Sequence, residues 1–173
     1  MRRLLLVIDM QKDFIDGALG TAEAVSIVDR VTEEIGKYPP ENVFATRDTH
    51  PENYLDTQEG RNLPVVHCVK DTPGWELDKK VAAALGSAEI IDKPTFGSVV
   101  LAEKLAEMAK KEDLEITLVG LCTDICVVSN ALLVKAYLPE TPVRVIAEAC
   151  AGVTPESHAA ALQTMKMCQV EIL

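Results

Sequence analysis

The segment VGLCTDICVVSNALL, Val119 to Leu133, decides how this chain is read. Its apolar start continues a short run from Glu115 to Gly120 with the composition of a buried strand, and the residues from Cys126 to Tyr137 recur with helical period. Cys126 is therefore expected at the first turn of a helix. Unpaired backbone N–H groups and the positive end of the helix dipole favour thiolate over thiol there, so the cysteine is a candidate nucleophile. Free cysteines are also common as small apolar core residues, so the position gains catalytic meaning only with partners elsewhere in the chain.

Outward from that segment, short runs rich in Val, Ile and Leu alternate with longer stretches of helical period, the pattern of a parallel sheet covered on both faces. Six strands are expected: Leu4 to Asp9, Val43 to Thr46, Val65 to His67, Ala88 to Asp92, Glu115 to Gly120 and Val143 to Ala147. Helices are expected over Ala22 to Lys37, Glu76 to Leu85, Val99 to Lys111, Cys126 to Tyr137 and Pro155 to Met167. The last has the clearest start, because Thr154 can cap its first turn and Pro155 suits a position where the missing N–H goes unused. The fold class is α/β: one three-layer α/β/α domain over residues 1–173, with a mainly parallel six-stranded sheet. Asp48 to Pro64 follows neither period and carries Pro, Asn, Asp and Gly, so it reads as a long loop of the kind that usually carries function.

Composition narrows the partners. A chain of 173 residues that is 48% apolar can bury one substantial core. A net charge of -10 without a basic cluster argues against nucleic acid and against an anionic membrane surface. The N-terminal apolar run stops at Asp9, too short for an export signal, and no later run approaches the ~20 residues that span a bilayer. A cytoplasmic protein is expected. Cys68, Cys122, Cys126, Cys150 and Cys168 are an odd, scattered set without paired CxxC motifs, so reduced thiols are expected, with Cys150 and Cys168 structural.

Reacting groups in open α/β sheets collect outside the carboxyl ends of the strands. Asp9, Asp48, His67, Lys93 and Cys126 all fall at expected strand ends. Each has an ordinary reading as a turn, cap or solvated residue; together they favour a site. Asp48 and His50, two apart in an extended segment, with His67 and Glu59, offer one or two carboxylates and two imidazoles. On spacing alone this is either a site for zinc, iron or manganese or a polar loop beside a half-buried histidine.

Five fragments stand in order: LLVIDMQKDF at Leu5 to Phe14, TRDTH at Thr46 to His50, LPVVHC at Leu63 to Cys68, DKPTFGS at Asp92 to Ser98 and VGLCTDICV at Val119 to Val127. With them the whole chain resembles the isochorismatase-like cysteine hydrolases, the family that includes nicotinamidase. The resemblance implies a triad of Asp9, Lys93 and nucleophilic Cys126, and a non-proline cis peptide between Leu121 and Cys122. It implies hydrolysis of a linear carboxamide C–N bond, with nicotinamide as the substrate. It also implies a divalent metal, zinc before iron or manganese, on Asp48, His50 and His67. Glu59 is the best fourth ligand, in competition with Asp56 and Asn53. A homo-oligomer is the implied assembly.

The residue types fit that chemistry. Asp9 can take the thiol proton and return it to departing ammonia, Lys93 can stabilise carboxylate and thiolate, and the N–H groups of Cys122 and Cys126 are candidates for an oxyanion hole. Phe14, Trp75 and Phe96 are candidate walls for a flat aromatic substrate, with core packing as the alternative. His158 reads as a surface or packing residue. Two rival readings stay open: the same fold acting on another small amide, ureido compound or isochorismate-like ether, and a non-catalytic ligand-binding or thiol-sensing protein.

Overall fold

The computed structural model describes residues 1–173 and turns the alternation into β1 (Arg2–Ile8), β2 (Val43–Asp48), β3 (Glu89–Lys93), β4 (Leu114–Leu121), β5 (Val143–Ala151) and β6 (Glu171–Ile172). The helices are α1 (Lys12–Ile15), α2 (Ala22–Ser26), α3 (Val28–Ile35), α4 (Gln58–Asn62), α5 (Lys79–Leu85), α6 (Val99–Ala109), α7 (Val128–Tyr137) and α8 (Pro155–Met167). The strands lie in the order β3-β2-β1-β4-β5-β6, and every neighbouring pair is parallel.

Side-chain alternation along β1 explains the three layers. Leu5 and Val7 join a core with Val31, Ile35, Val81 and Leu85 from α3 and α5. Leu4, Leu6 and Ile8 point the other way, onto Leu101, Leu105, Ala131, Val134 and Met165 from α6, α7 and α8. Each such side chain, fully buried, contributes about 1.5–3 kcal/mol of transfer free energy. A one-residue slip of β1 would exchange the two faces, so its register is strongly specified.

The strand order reverses direction between β1 and β4. Crossovers from β1 build the sheet outward through β2 and β3, and the chain then returns to the other side of β1 to lay down β4. A crevice forms at such a switch point, outside the carboxyl ends of the two strands. Gly120, paired with Ile8 at this end, has φ +117, and a Cβ there would run into the backbone of Ile8. Only glycine allows β1 and β4 to approach this closely. The Leu121–Cys122 peptide that follows is cis.

Three expectations are corrected. Val65 to His67 is not a strand: Pro64 precedes it, Cys68 turns into the left-handed region at φ 46, and the only pairing nearby is an isolated bridge between His50 and Val69. The sixth strand is instead the two-residue β6 beside β5. The helix expected over Ala22 to Lys37 is interrupted at Ile27, giving α2 and α3. The loop from Asp48 to Pro64 contains a 3-10 turn at Tyr54–Asp56 and the short α4, each begun by a local cap or turn. The start of α8 matches its expectation, with Thr154 and Ser157 forming a reciprocal cap around Pro155.

Candidate functional site

Asp9 follows β1 with φ 46, a conformation that L-residues rarely adopt. Its backbone N–H is held by the carbonyl of Thr46 at 3.2 Å, and the Thr46 hydroxyl donates to Asp9 Oδ1 at 2.6 Å. The other oxygen, Oδ2, lies 2.7 Å from Lys93 Nζ. Lys93 ends β3, is 1% exposed, and reaches Cys126 Sγ at 3.4 Å and the carbonyl of Thr95 at 3.1 Å. Three strands thus deliver an acid, an ammonium and a thiol to one buried point.

Cys126 lies within a π-helical turn, Thr123–Val127, immediately before α7. Burial pushes its thiol well above the usual range and the Asp9 carboxylate adds to this; Lys93 opposes but does not prevail. Burial and the neighbouring carboxylate thus oppose the thiolate that the helix start and Lys93 favour. Burial also raises Asp9, with Lys93 pulling it back, which makes it a stronger base than a solvated aspartate. Burial works against the charge of Lys93, but the neighbouring anions, Asp9 first and Asp48 after it, outweigh burial and raise its pKa.

Cys126 opens into a narrow pocket of about 40 Å³, whose lining includes Phe14, Leu63, Phe96 and Cys122 together with Asp48, Glu59 and His67. A wider cleft of about 490 Å³ shares Glu59, Leu63, Phe96 and Ile125 with it and leads to solvent. Phe96 stands at the junction, 46% exposed. Trp75, expected as a third wall, is not among the lining residues: its indole N–H donates to Thr49 Oγ1 at 2.9 Å, and the Arg47 guanidinium sits 3.6 Å over its ring.

Asp48, His50, Glu59 and His67 each bring one donor atom to a common point, all within 4.8 Å of one another. The histidine tautomers fit a metal. His67 Nδ1 faces the carbonyl of Val65 at 2.7 Å, which can only accept, so Nδ1 carries a proton and the neutral ring presents the lone pair of Nε2 toward Asp48 and Glu59. His50 Nε2 comes within 2.9 Å of Asp48 Oδ2 without hydrogen-bond alignment and is buried with no other partner. A buried, unpartnered ring nitrogen between carboxylates suits a divalent cation. Burial alone would raise Asp48, yet His50 and the charge of Lys93 hold it below the usual carboxylate range. Glu59, carried by α4, takes the fourth place; Asp56 is outside the cluster.

A family model described as the isochorismatase domain matches residues 3–173. The chain belongs to the isochorismatase family. Its relatives include the nicotinamidase of Schizosaccharomyces pombe, 25% identical over 98% of this chain and 91% of that protein. The nicotinamidase/pyrazinamidase of Mycobacterium tuberculosis is 26% identical over 99% of this chain and 98% of that protein. Among solved structures, the pyrazinamidase of Pyrococcus horikoshii in complex with zinc is 30% identical, covers 100% of this chain and 99% of its own, and superposes with a TM-score of 0.79.

Several residues that position this isochorismatase-family site carry no signal in the sequence pattern. Gln11 donates from Nε2 to the carbonyls of Asp48 and Trp75 and accepts the Asp48 N–H on Oε1, which fixes the backbone of the acid that faces both triad and cluster. Asp13 accepts the N–H of Cys68 at 2.8 Å, next to His67. Tyr54 packs its ring on His50 and His67 and donates its hydroxyl to the carbonyl of Leu63. Thr46 is the most legible of the positioning residues: it lies two residues before Asp48 on the same strand, where period 2 turns both toward one face.

Proposed function

We propose that this chain hydrolyses nicotinamide to nicotinate and ammonia through a thioester on Cys126. The observation that carries the reading is one pocket lined by Cys126, by Asp48, Glu59 and His67 of the donor cluster, and by Phe14 and Phe96. A planar ring with a carboxamide at one edge and a nitrogen lone pair at another offers a partner both to the thiol and to a metal on those donors. The nicotinamidase and pyrazinamidase relatives support the same substrate class.

Asp9 takes the thiol proton as Sγ attacks the carboxamide carbon, and Lys93 keeps the site's charge balanced while the thiolate forms. The N–H groups of Cys122 and Cys126 receive the negative charge that develops on the oxygen. Asp9 returns its proton to the departing nitrogen, ammonia leaves, and a water activated by Asp9 cleaves the thioester to nicotinate and free thiol. Asp48, His50, Glu59 and His67 would hold a divalent metal, zinc before iron or manganese, which when bound supplies a Lewis acid to anchor the ring nitrogen. A cytoplasmic homo-oligomer acting in nicotinamide salvage, without nucleic-acid or membrane partners, completes the reading. The acidic balance supports the absence of nucleic-acid partners, the five free thiols support the compartment, and no helix is long and apolar enough to cross a membrane.

The test is ammonia release from nicotinamide, pyrazinamide and unrelated small amides by metal-replete protein, with Cys126→Ala as the control. Turnover of the pyridine and pyrazine carboxamides is expected. Preference for a ureido compound or a vinyl ether would overturn the substrate, and activity in the Cys126→Ala variant would overturn the mechanism.

A further inference from the structure

We propose that Asn130 is a positioning residue that ties the Lys93 loop to the Cys126 turn and so sets the alignment of the ammonium with the nucleophile. It lies on α7, 1% exposed, one turn after Cys126. Its Nδ2 donates to the carbonyl of Cys126 at 2.8 Å and to that of Phe96 at 3.2 Å, and its Oδ1 accepts the N–H of Ser98 at 2.9 Å. One side chain thus bonds the nucleophile's own backbone and two points of the segment that leaves β3.

That segment also positions the lysine. The carbonyl of Thr95 accepts from Lys93 Nζ at 3.1 Å, and Thr95 is bonded covalently to Phe96, which Asn130 holds. Ser98 is the cap of α6, its hydroxyl accepting the N–H of Leu101. Asn130 therefore joins the start of one helix to the start of another across the reacting groups. The residue is not there for helix propensity, since asparagine is inferior to alanine in a helix interior by up to ~0.7 kcal/mol. Its buried neighbours on α7, Ala131 and Val134, are apolar, and an amide among them persists only because its bonds are made. Gly97 shows how closely the two segments lie: a Cβ there would meet the carbonyl oxygen of Ser129 at 3.2 Å and Leu133 at 3.3 Å.

The proposal rests on Lys93 and Cys126 acting together, as in the function proposed above, and two readouts separate it from the choice of substrate. Asn130→Asp keeps the size and the acceptor for Ser98 but turns oxygen toward the carbonyls of Cys126 and Phe96. Asn130→Leu removes all three bonds, and Asn130→Ser keeps a hydroxyl for the Cys126 carbonyl one turn back while losing both bonds to the loop. For each, kcat with nicotinamide is measured per Cys126 thiol titrated by alkylation, and the rate of Cys126 alkylation by iodoacetamide is measured without substrate. A loss of ~10- to 100-fold in kcat per titrated thiol is expected, together with a changed alkylation rate, as for an Å-scale misplacement of reacting groups. A residue needed only for folding would lower the yield of titratable thiol and leave kcat per thiol intact. Values of both readouts within about twofold of the parent overturn the proposal, and Asn130→Ser, the mildest change, decides it if the other two variants do not fold. If the parent leaves nicotinamide untouched while Cys126 alkylation still responds to these substitutions, the substrate is wrong and the positioning role stands.

Discussion

Asp48 Oδ1 lies 3.6 Å from Lys93 Nζ while its Oδ2 lies 2.9 Å from His50 Nε2, so one carboxylate faces the buried lysine and the four-donor cluster at once. The adjacent strands enforce this, because Asp48 and Lys93 are direct partners in the β2–β3 register.

The shared carboxylate separates two variants that would otherwise behave alike. His67→Ala removes a cluster donor, and Asp48→Ala removes a donor together with an anion beside the buried lysine. Both lose bound metal on chelation, but added zinc should restore the His67 variant further. An interaction with a charged group is worth about 1.5–3 kcal/mol, so the Asp48 variant should remain at least ~10-fold slower at saturating metal. Metal content and kcat against added zinc check this, and equal recovery would mean that Asp48 serves the cluster alone.

Asp9→Asn tests the base. Removing it should lower kcat by ~10²–10⁴. It also leaves Lys93 buried without its nearest anion, at about 3–5 kcal/mol of stability. In the parent enzyme burial raises Asp9 above 3.8, so the acid limb of kcat/KM lies above that value, with activity falling as pH drops through it. A limb at or below the value for a solvated aspartate would remove Asp9 from the role.

His158 offers a pH test outside the chemistry. Its Nδ1 meets the Thr123 hydroxyl at 2.8 Å, and burial lowers its pKa below 6.5, with Asp124 partly opposing. As pH falls below 6.5 the unfolded chain binds this proton before the folded one, so stability falls until the folded pKa is passed. Urea midpoints of the parent should therefore fall more steeply between about pH 7 and pH 5 than those of His158→Gln, and parallel slopes would contradict a lowered His158 pKa.

Strand ends were the legible part of the molecule. The runs at β1 and β4, buried at nearly every position, suit a sheet covered on both faces, and that reading puts Asp9 and Cys126 at the same edge. Val65 to His67 misled because Val-Val has strand composition, whereas Pro64 and the left-handed turn at Cys68 bend that backbone away from the sheet to aim His67. β6 was hidden by its length of two residues, which carry no period. The burial of the Cys126 thiol was out of reach as well: helix position is local, but desolvation depends on everything packed around the turn. Asn130 and Gln11 were illegible for a related reason, since an amide's bonds to three separate backbone segments leave no spacing in the sequence.

Phe14 and Trp75 look alike in the sequence and have different surroundings in the fold, so their variants should part. Phe14 lines the pocket beside Cys126, and its ring lies 5.6 Å from that of His67. Phe14→Leu keeps most of the buried volume but loses the flat wall. KM for nicotinamide should rise about 5- to 10-fold, a loss of about 1–1.4 kcal/mol of the kind aromatic pairs supply. Trp75→Phe instead removes the bond to Thr49 and weakens the stacking of Arg47, neither of which faces the pocket. About 1–3 kcal/mol of stability should go, with KM within about twofold of the parent. Steady-state kinetics beside urea unfolding distinguishes the two, and a raised KM in the Trp75 variant would extend the substrate pocket to the far side of β2.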